Sequence, residues 1–262
     1  MVILQKHFLK FSTLELIGNK MKTLVGINNL ISVDQLAYAN HCQLWYRLGK
    51  ENPDDQFLFC NPRRMSIDGM RNFCAKAALE NECDYILFID DDVLVPFDCY
   101  KKLLSHKKDI IAGVTHIRGY PFEPMIFNFS NKQCFYYRDY KDNIVDGLVE
   151  CDAVGFSCCL IKVDILKQIR PPFFITSPAH TEDVYFCKKA KDQIPDIKIY
   201  VDPTVETAHI LGSDLIMPSN IQHWKDFEEA RNPMLKQLVK QEKDREDRAA
   251  DYLKEIGVEV VQ

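Results

Sequence analysis

The chain has no Cys-x-x-Cys pair, no internal repeat, no low-complexity segment and no long uninterrupted apolar run. Each absence excludes something. No stretch approaches the 18 or more apolar residues of a membrane span, so no transmembrane helix is expected. The opening segment, Met1 to Lys10, is too broken by charge to be a signal-peptide core. Ten cysteines are present, but Cys158 and Cys159 are adjacent, and Cys60, Cys74, Cys83 and Cys187 fall inside apparent strands or helices. That is not the framework of a small disulfide-stapled domain, and reduced thiols in a cytoplasmic protein are expected. Positive charge is also in short supply. The net charge is −5 with basic residues scattered, which removes the electrostatic footprint of a duplex-DNA binder without excluding a nucleic-acid substrate.

What is present suffices for a full core. At 262 residues and 47% hydrophobic content, the chain can fold as one large domain or as a domain with an appendage. The stretch around which the rest is organised is Cys83 to Pro96, where the apolar run Tyr85–Ile89 meets Asp90, Asp91 and Asp92. A continuous apolar strand suits the middle of a sheet covered on both faces. In open α/β sheets the carboxyl ends of such strands border the ligand crevice. Alternation along an extended backbone would turn Asp90 and Asp92 to one side and Asp91 to the other. Two carboxylates sharing one point repel by roughly 4 kcal/mol at about 4 Å, taking an effective dielectric of about 20. A hard divalent cation removes that repulsion and keeps positions free for phosphate oxygens. The competing reading of the triplet is an acidic turn that caps the next helix.

Taken in order, residues 1–20 carry no clear pattern. Thr23–Asn29 reads as a buried strand, and Asp34 opens a helix through Leu36, Tyr38, His41, Leu44, Trp45 and Leu48. Gln56–Asn61 is a second strand. Ser66 caps a helix over 67–80 whose inner face would carry Met70, Phe73, Cys74, Ala77 and Ala78. The Asp-bearing strand follows, so the first ninety residues alternate strand and helix as a right-handed α/β half. Phe97–His106 is a short helix and Asp109–His116 a fourth strand. Met125–Phe129 and Cys134–Tyr137 read as paired strands about a turn at Ser130-Asn131-Lys132. Eight aromatics crowd this region (Tyr120, Phe122, Phe127, Phe129, Phe135, Tyr136, Tyr137, Tyr140) and serve either to pack or to stack on a sugar or base. Beyond Gly155 come a strand to Ile161 and a helix over Val163–Ile169. Thr181 fits an N-cap with Glu182 and Asp183 in the first turn, where the helix dipole favours carboxylates. Lys198–Asp202 and Glu206–Ile210 are further strands. From about Gln222 the chain is helical and charged; Asn232-Pro233 restarts a helix that can run to Ile256 and stop at Gly257.

The order of these pieces resembles the GT-A fold of nucleotide-sugar-dependent glycosyltransferases, in particular the family 2-like enzymes of phage and bacteria, over about Lys22 to Ile210. The resemblance implies an α/β, Rossmann-like mixed central sheet flanked by helices, with a C-terminal helical extension. It implies a transferase domain over 1–220, preceded by an extension over 1–20, and a charged helical tail over 221–262. Residue by residue, Asp90 and Asp92 look like the DxD pair and His209 like the late histidine, together ligands of Mn²⁺ or Mg²⁺. Asn28, Arg71, Asp90 and Asp91 look like contacts of the nucleotide, and Asp183 like the carboxylate that deprotonates the acceptor in inverting members, with Glu182 beside it. The segment Asp152–Gly155 would shape the acceptor side, its glycine admitting a ligand close to the backbone. The implied donor is a nucleoside-diphosphate sugar, first of all a UDP-sugar. The implied acceptor is the hydroxyl of a glycan, a protein or a modified DNA base, in the host cytoplasm if a phage encodes the chain. The C-terminal helix offers a homo-oligomer contact.

Two other functions stay open at this stage. A sugar nucleotidyltransferase also works with a metal on an α/β sheet, but Gly26-Ile27-Asn28-Asn29 has one glycine and no adjacent Lys or Arg, unlike the glycine-rich basic loop of that chemistry. A non-catalytic glycan-binding module would use the aromatics and leave the carboxylates as helix caps.

Overall fold

The computed structural model describes residues 20–29, 32–130 and 133–255. The expectations for residues 1–19, for the Asn131-Lys132 turn and for the helix stop at Ile256-Gly257 lie outside the described residues.

The amino-terminal half alternates as expected: β1 (Lys22–Asn28), α1 (Gln35–Glu51), β2 (Gln56–Cys60), α2 (Ile67–Glu80) and β3 (Tyr85–Asp90). Asp34 caps α1 by accepting the Leu36 amide, and Ser66 caps α2 by accepting that of Gly69. Next come β4 (Val93–Leu94), α3 (Cys99–Ser105), β5 (Ile110–Val114), the hairpin β6 (Ile126–Ser130) and β7 (Gln133–Tyr136), β8 (Val149–Cys151), β9 (Ala153–Val154) and β10 (Cys158–Lys162). The carboxyl-terminal part holds α4 (Val163–Leu166), α5 (Glu182–Gln193), β11 (Ile199–Glu206), β12 (Ala208–Leu211), β13 (Asp214–Ile216), α6 (Ile221–Arg231) and α7 (Met234–Glu255).

Seven strands form one sheet in the order β2-β1-β3-β10-β5-β11-β8. β2, β1 and β3 are mutually parallel; β10 runs against both β3 and β5, and β8 against β11. The sheet is therefore mixed. β3 explains its own sequence: Ile86 and Phe88 enter the core shared with α2, α4 and α5, while Tyr85, Leu87 and Ile89 enter the core shared with α1 and α3. A strand buried on both faces has no position where a polar side chain is cheap. Small sheets β13-β12-β4 and β7-β6-β9 flank the main one.

Several details depart from the sequence expectations. The inner face of α2 carries Met70, Arg71, Cys74, Ala75 and Ala78, and Phe73 is exposed. The helix turns this way because Arg71 finds two carboxylate partners inside. α4 is a single turn rather than a helix to Ile169. None of the eight middle-region aromatics is exposed; Phe122 and Tyr140 are buried and the Phe127 and Tyr136 rings meet at 5.1 Å, as packing requires. All ten cysteines are free. No helix among the described residues is long and apolar enough to cross a membrane.

Candidate active site

A cleft of about 500 Å³ opens at the carboxyl ends of β1 and β3. Its lining includes Asn28, Arg71, Asp90, Asp91, Asp92, Glu182, Asp183 and His209, so the residues expected to hold metal, meet the nucleotide or act as base come together in one place, without the 152–155 segment. Residues that sequence reasoning did not single out also line it, notably Arg118, Ser157 and Met125.

Strand register accounts for the first contacts. Asn28 pairs with Asp90 across β1 and β3, so both reach the same end of the sheet. The alternation rule then fails, because the backbone turns at Asp91-Asp92 instead of continuing extended. The two outer aspartates consequently face different partners. Asp90 accepts Arg71 on Oδ1 at 3.1 Å and the Ser157 hydroxyl on Oδ2 at 2.8 Å. Asp92 accepts Arg118 on Oδ2 at 3.0 Å and faces His209 Nε2 from Oδ1 at 3.5 Å. Of the three expected metal ligands, Asp92 and His209 thus face each other, while Asp90 is turned to Arg71 and Ser157.

That second pair is built by β-pairing. β4 and β12 place His209 opposite Val93, and the Ile210 amide donates to the Asp92 carbonyl at 3.0 Å. From α1, His41 bonds the Val93 carbonyl at 3.0 Å and Asn40 bonds both the amide and the carbonyl of Val95. The segment carrying Asp92 is therefore held from behind.

A carbonyl oxygen only accepts, so the 2.8 Å contact of His209 Nδ1 with the His116 carbonyl puts the proton on Nδ1. In the neutral ring this leaves the Nε2 lone pair facing a carboxylate oxygen, an arrangement that a cation between them makes favourable. A backbone acceptor on one ring nitrogen and a free lone pair on the other is the usual support of a metal-binding histidine. Burial works to raise the Asp92 carboxyl; when His209 is protonated, its hydrogen bond and charge together with the charge of Arg118 outweigh burial and hold the carboxyl below the ordinary value, whereas the neutral ring offers its Nε2 lone pair to a cation instead. Asp92 and His209 thus fit a hard or borderline divalent ion. Among the described residues no three His, Cys, Asp or Glu side chains cluster as ligands, so the protein would supply two and a bound ligand or water the rest.

The opposite wall is a buried charge network. Arg71 is 2% exposed, donates from Nε to Glu182 at 2.8 Å, and lies beside the stacked Phe88 and Phe156 rings, 5.1 and 5.5 Å from their centroids. Burial alone would disfavour its charge, yet Asp90, Glu182 and Asp183 more than compensate and keep it ionised. Arg71 accordingly ties two carboxylates beneath the cleft, a different task from the phosphate or base contact expected of it. Burial pushes the Glu182 carboxyl up, against the pull of Arg71.

Thr181 stands at the N-cap of α5 but its side chain accepts no backbone amide; its hydroxyl donates to Asp183 Oδ1. Oδ1 also takes the Val184 amide at 2.8 Å, which leaves Oδ2 without a protein donor among the described residues. Asn28 is the anomaly of the site. It is 2% exposed, and both its Oδ1 and its Nδ2 lack partners among the described residues. An amide buried without hydrogen bonds costs about 1–3 kcal/mol, which a ligand carrying a matched donor and acceptor would recover.

The segment 152–155 does not do what its glycine suggested. A Cβ on Gly155 would lie 2.6 Å from Met125 Cε and 2.9 Å from Met125 Cβ, so the missing side chain makes room for Met125 rather than for a ligand. Asp152 anchors the hairpin by accepting the Phe129 amide at 2.7 Å and the Lys191 ammonium. Arg118 and Ser157 share a signal that was available: each lies just beyond one end of a core strand, on the edge that Asp90 marks.

The fold is of the GT-A, Rossmann-like kind. Among solved structures the chain is similar to A197 from STIV, with 21% identity over 76% of this chain and 91% of that one and a TM-score of 0.51. It is more distantly similar to apo UDP-glucose pyrophosphorylase (8% identity, 72% and 93% of the two chains, TM-score 0.42). A glycosyltransferase involved in the glycosylation of the major capsid of PBCV-1 is comparable (12%, 70% and 82%, 0.40). No protein-family model and no curated protein matches the chain.

Proposed function

We propose that the chain is a metal-dependent glycosyltransferase that moves a sugar from a nucleoside diphosphate, UDP in the first instance, to an acceptor hydroxyl. The observation that carries the reading is the convergence in one cleft of the Asp92–His209 pair, the unpartnered Asn28 amide and the Asp183 carboxylate. Each suits one part of the reaction. Asn28 offers one donor and one acceptor to the edge of a nucleobase. Asp92 and His209 hold Mn²⁺ or Mg²⁺, which when bound offsets charge on the departing diphosphate. Arg118, half exposed beside Asp92, meets phosphate oxygens. Asp183 takes the acceptor proton on Oδ2, with Oδ1 fixed by Thr181 and Val184. Arg71 fixes Glu182 and Asp90 around these groups without touching substrate. An inverting outcome follows from a base on the acceptor side. We assign residues 1–220 to the transferase unit and 221–262 to a helical tail, which α6 joins to the body through Trp224 and Glu229.

The test is a thermal-shift panel of UDP, GDP, CDP, ADP and dTDP with and without Mn²⁺, on wild type, Asp92→Ala and His209→Ala. A ligand at a hundred times its Kd adds about 2.7 kcal/mol, a rise of about 5–10 °C for a chain of this size. One diphosphate should shift the wild type only with metal and neither variant at all. A shift by nucleoside triphosphates together with sugar 1-phosphates would assign a sugar nucleotidyltransferase instead. No shift by any nucleotide would leave a glycan-binding module.

A further inference from the structure

A second cavity, about 420 Å³, lies behind the wall of the cleft. Its sides are the turn from His116 to Pro124, the segment Arg138–Asp142 and, across from them, Ile221 and Lys225 of α6. The two spaces share a wall: His116 lines the cavity while Arg118, two residues on, lines the cleft. The His116 carbonyl accepts the Nδ1 proton of His209, so the cavity backs directly onto the candidate metal pair.

We propose that this cavity is a saccharide subsite that takes a neutral, hydroxyl-rich ring of the acceptor. This rests on the glycosyltransferase reading and adds to it an acceptor class and a place. The first reason is charge. Arg138, Lys141 and Lys225 face Glu123, Asp139 and Asp142, three cations against three anions, so the lining favours no net charge. Arg138 and Glu123 are spent on each other at 2.8 Å. The remaining lysines donate and the remaining aspartates accept, which matches hydroxyls, groups that do both.

The second reason is an unpartnered buried acceptor. His116 is 6% exposed, and its Nδ1 contact with the Phe122 carbonyl at 2.6 Å puts the proton on Nδ1. Nε2 therefore carries a lone pair and has no partner among the described residues. A buried acceptor in that position calls for a hydroxyl, direct or through one water. The third reason is size: at about 420 Å³ the cavity lies in the ordinary range for small-molecule pockets, roughly 300–1,000 Å³.

The experiment uses the full-length chain on a microarray of neutral, phosphorylated and carboxylated glycans, followed by calorimetric titration of the strongest neutral glycan. Asp142→Ala and Lys225→Ala are the variants, both outside the cleft. The expected result is retention of neutral glycans, with affinity reduced at least tenfold in each variant while the metal-dependent nucleotide shift stays unchanged. Failure to retain any neutral glycan, retention of acidic ones alone, or equal affinity in wild type and both variants would each overturn the subsite. If nucleotides bind and no glycan does, the transferase reading survives without it. If Asp142-dependent glycan binding occurs with no nucleotide binding, the subsite survives and the transferase reading falls.

Discussion

Replacing Arg71 by Met tests whether the site is braced from beneath, as the network requires. The substitution keeps bulk beside Phe88 and Phe156 but removes the cation that Glu182 and Asp90 share. The Glu182 side chain is 8% exposed and cannot recover its lost partner from water, whereas the Asp90 side chain at 23% recovers part. Leaving one buried carboxylate unpaired costs about 3–5 kcal/mol, or about 6–20 °C in Tm for a domain of this size. The pH dependence gives the sharper signature. In the wild type, burial holds Glu182 above its unfolded value of 4.5. The stability linked to its proton is then complete below that value and is lost as pH rises through the folded one. Arg71 is what pulls the folded value down, so without it the loss extends to higher pH. Urea denaturation at pH 5 and pH 8 should show the deficit of Arg71→Met growing with pH, and Arg71→Met/Glu182→Gln should regain much of it at pH 8. A deficit below about 1 kcal/mol, the scale of a solvent-exposed ion pair, or one equal at both pH values, would refute the account.

Asp183→Asn should lower turnover by about 10²–10⁴, the range of general-base contributions, while the nucleotide shift is retained; a loss confined to nucleotide binding would assign Asp183 elsewhere. Arg118→Ala frees one Asp92 oxygen, so free Mn²⁺ should bind more tightly by paramagnetic resonance while the nucleoside diphosphate binds more weakly. Both affinities moving the same way would contradict a residue shared between Asp92 and phosphate. Gly113→Ala places a Cβ 2.6 Å from the Val205 carbonyl, which a packed strand cannot withdraw, so a loss of about 1–3 kcal/mol is expected in urea denaturation. Gly119→Ala meets nothing within 4 Å and serves as the near-neutral control.

Local pattern carried the sequence far in this protein. The caps at Asp34 and Ser66, the period of α1 and the unbroken apolar run of β3 depend on near neighbours and on burial, and each could be read without tertiary structure. So could the meeting of Asn28 and Asp90 at one end of the sheet, because the ends of parallel strands in an α/β sheet must converge on one edge. What each member does there was decided by packing. The turn at Asp91-Asp92 separated two carboxylates that alternation would have aligned. The inward rotation of α2 gave Arg71 two carboxylates and left Phe73 in solvent. Met125 claimed the space that Gly155 was thought to keep for a ligand. The pairing of β4 with β12 brought His209 to Asp92. These outcomes turn on contacts between segments distant in the chain, where hydrogen bonds and excluded volume choose among options that local sequence leaves equal in energy.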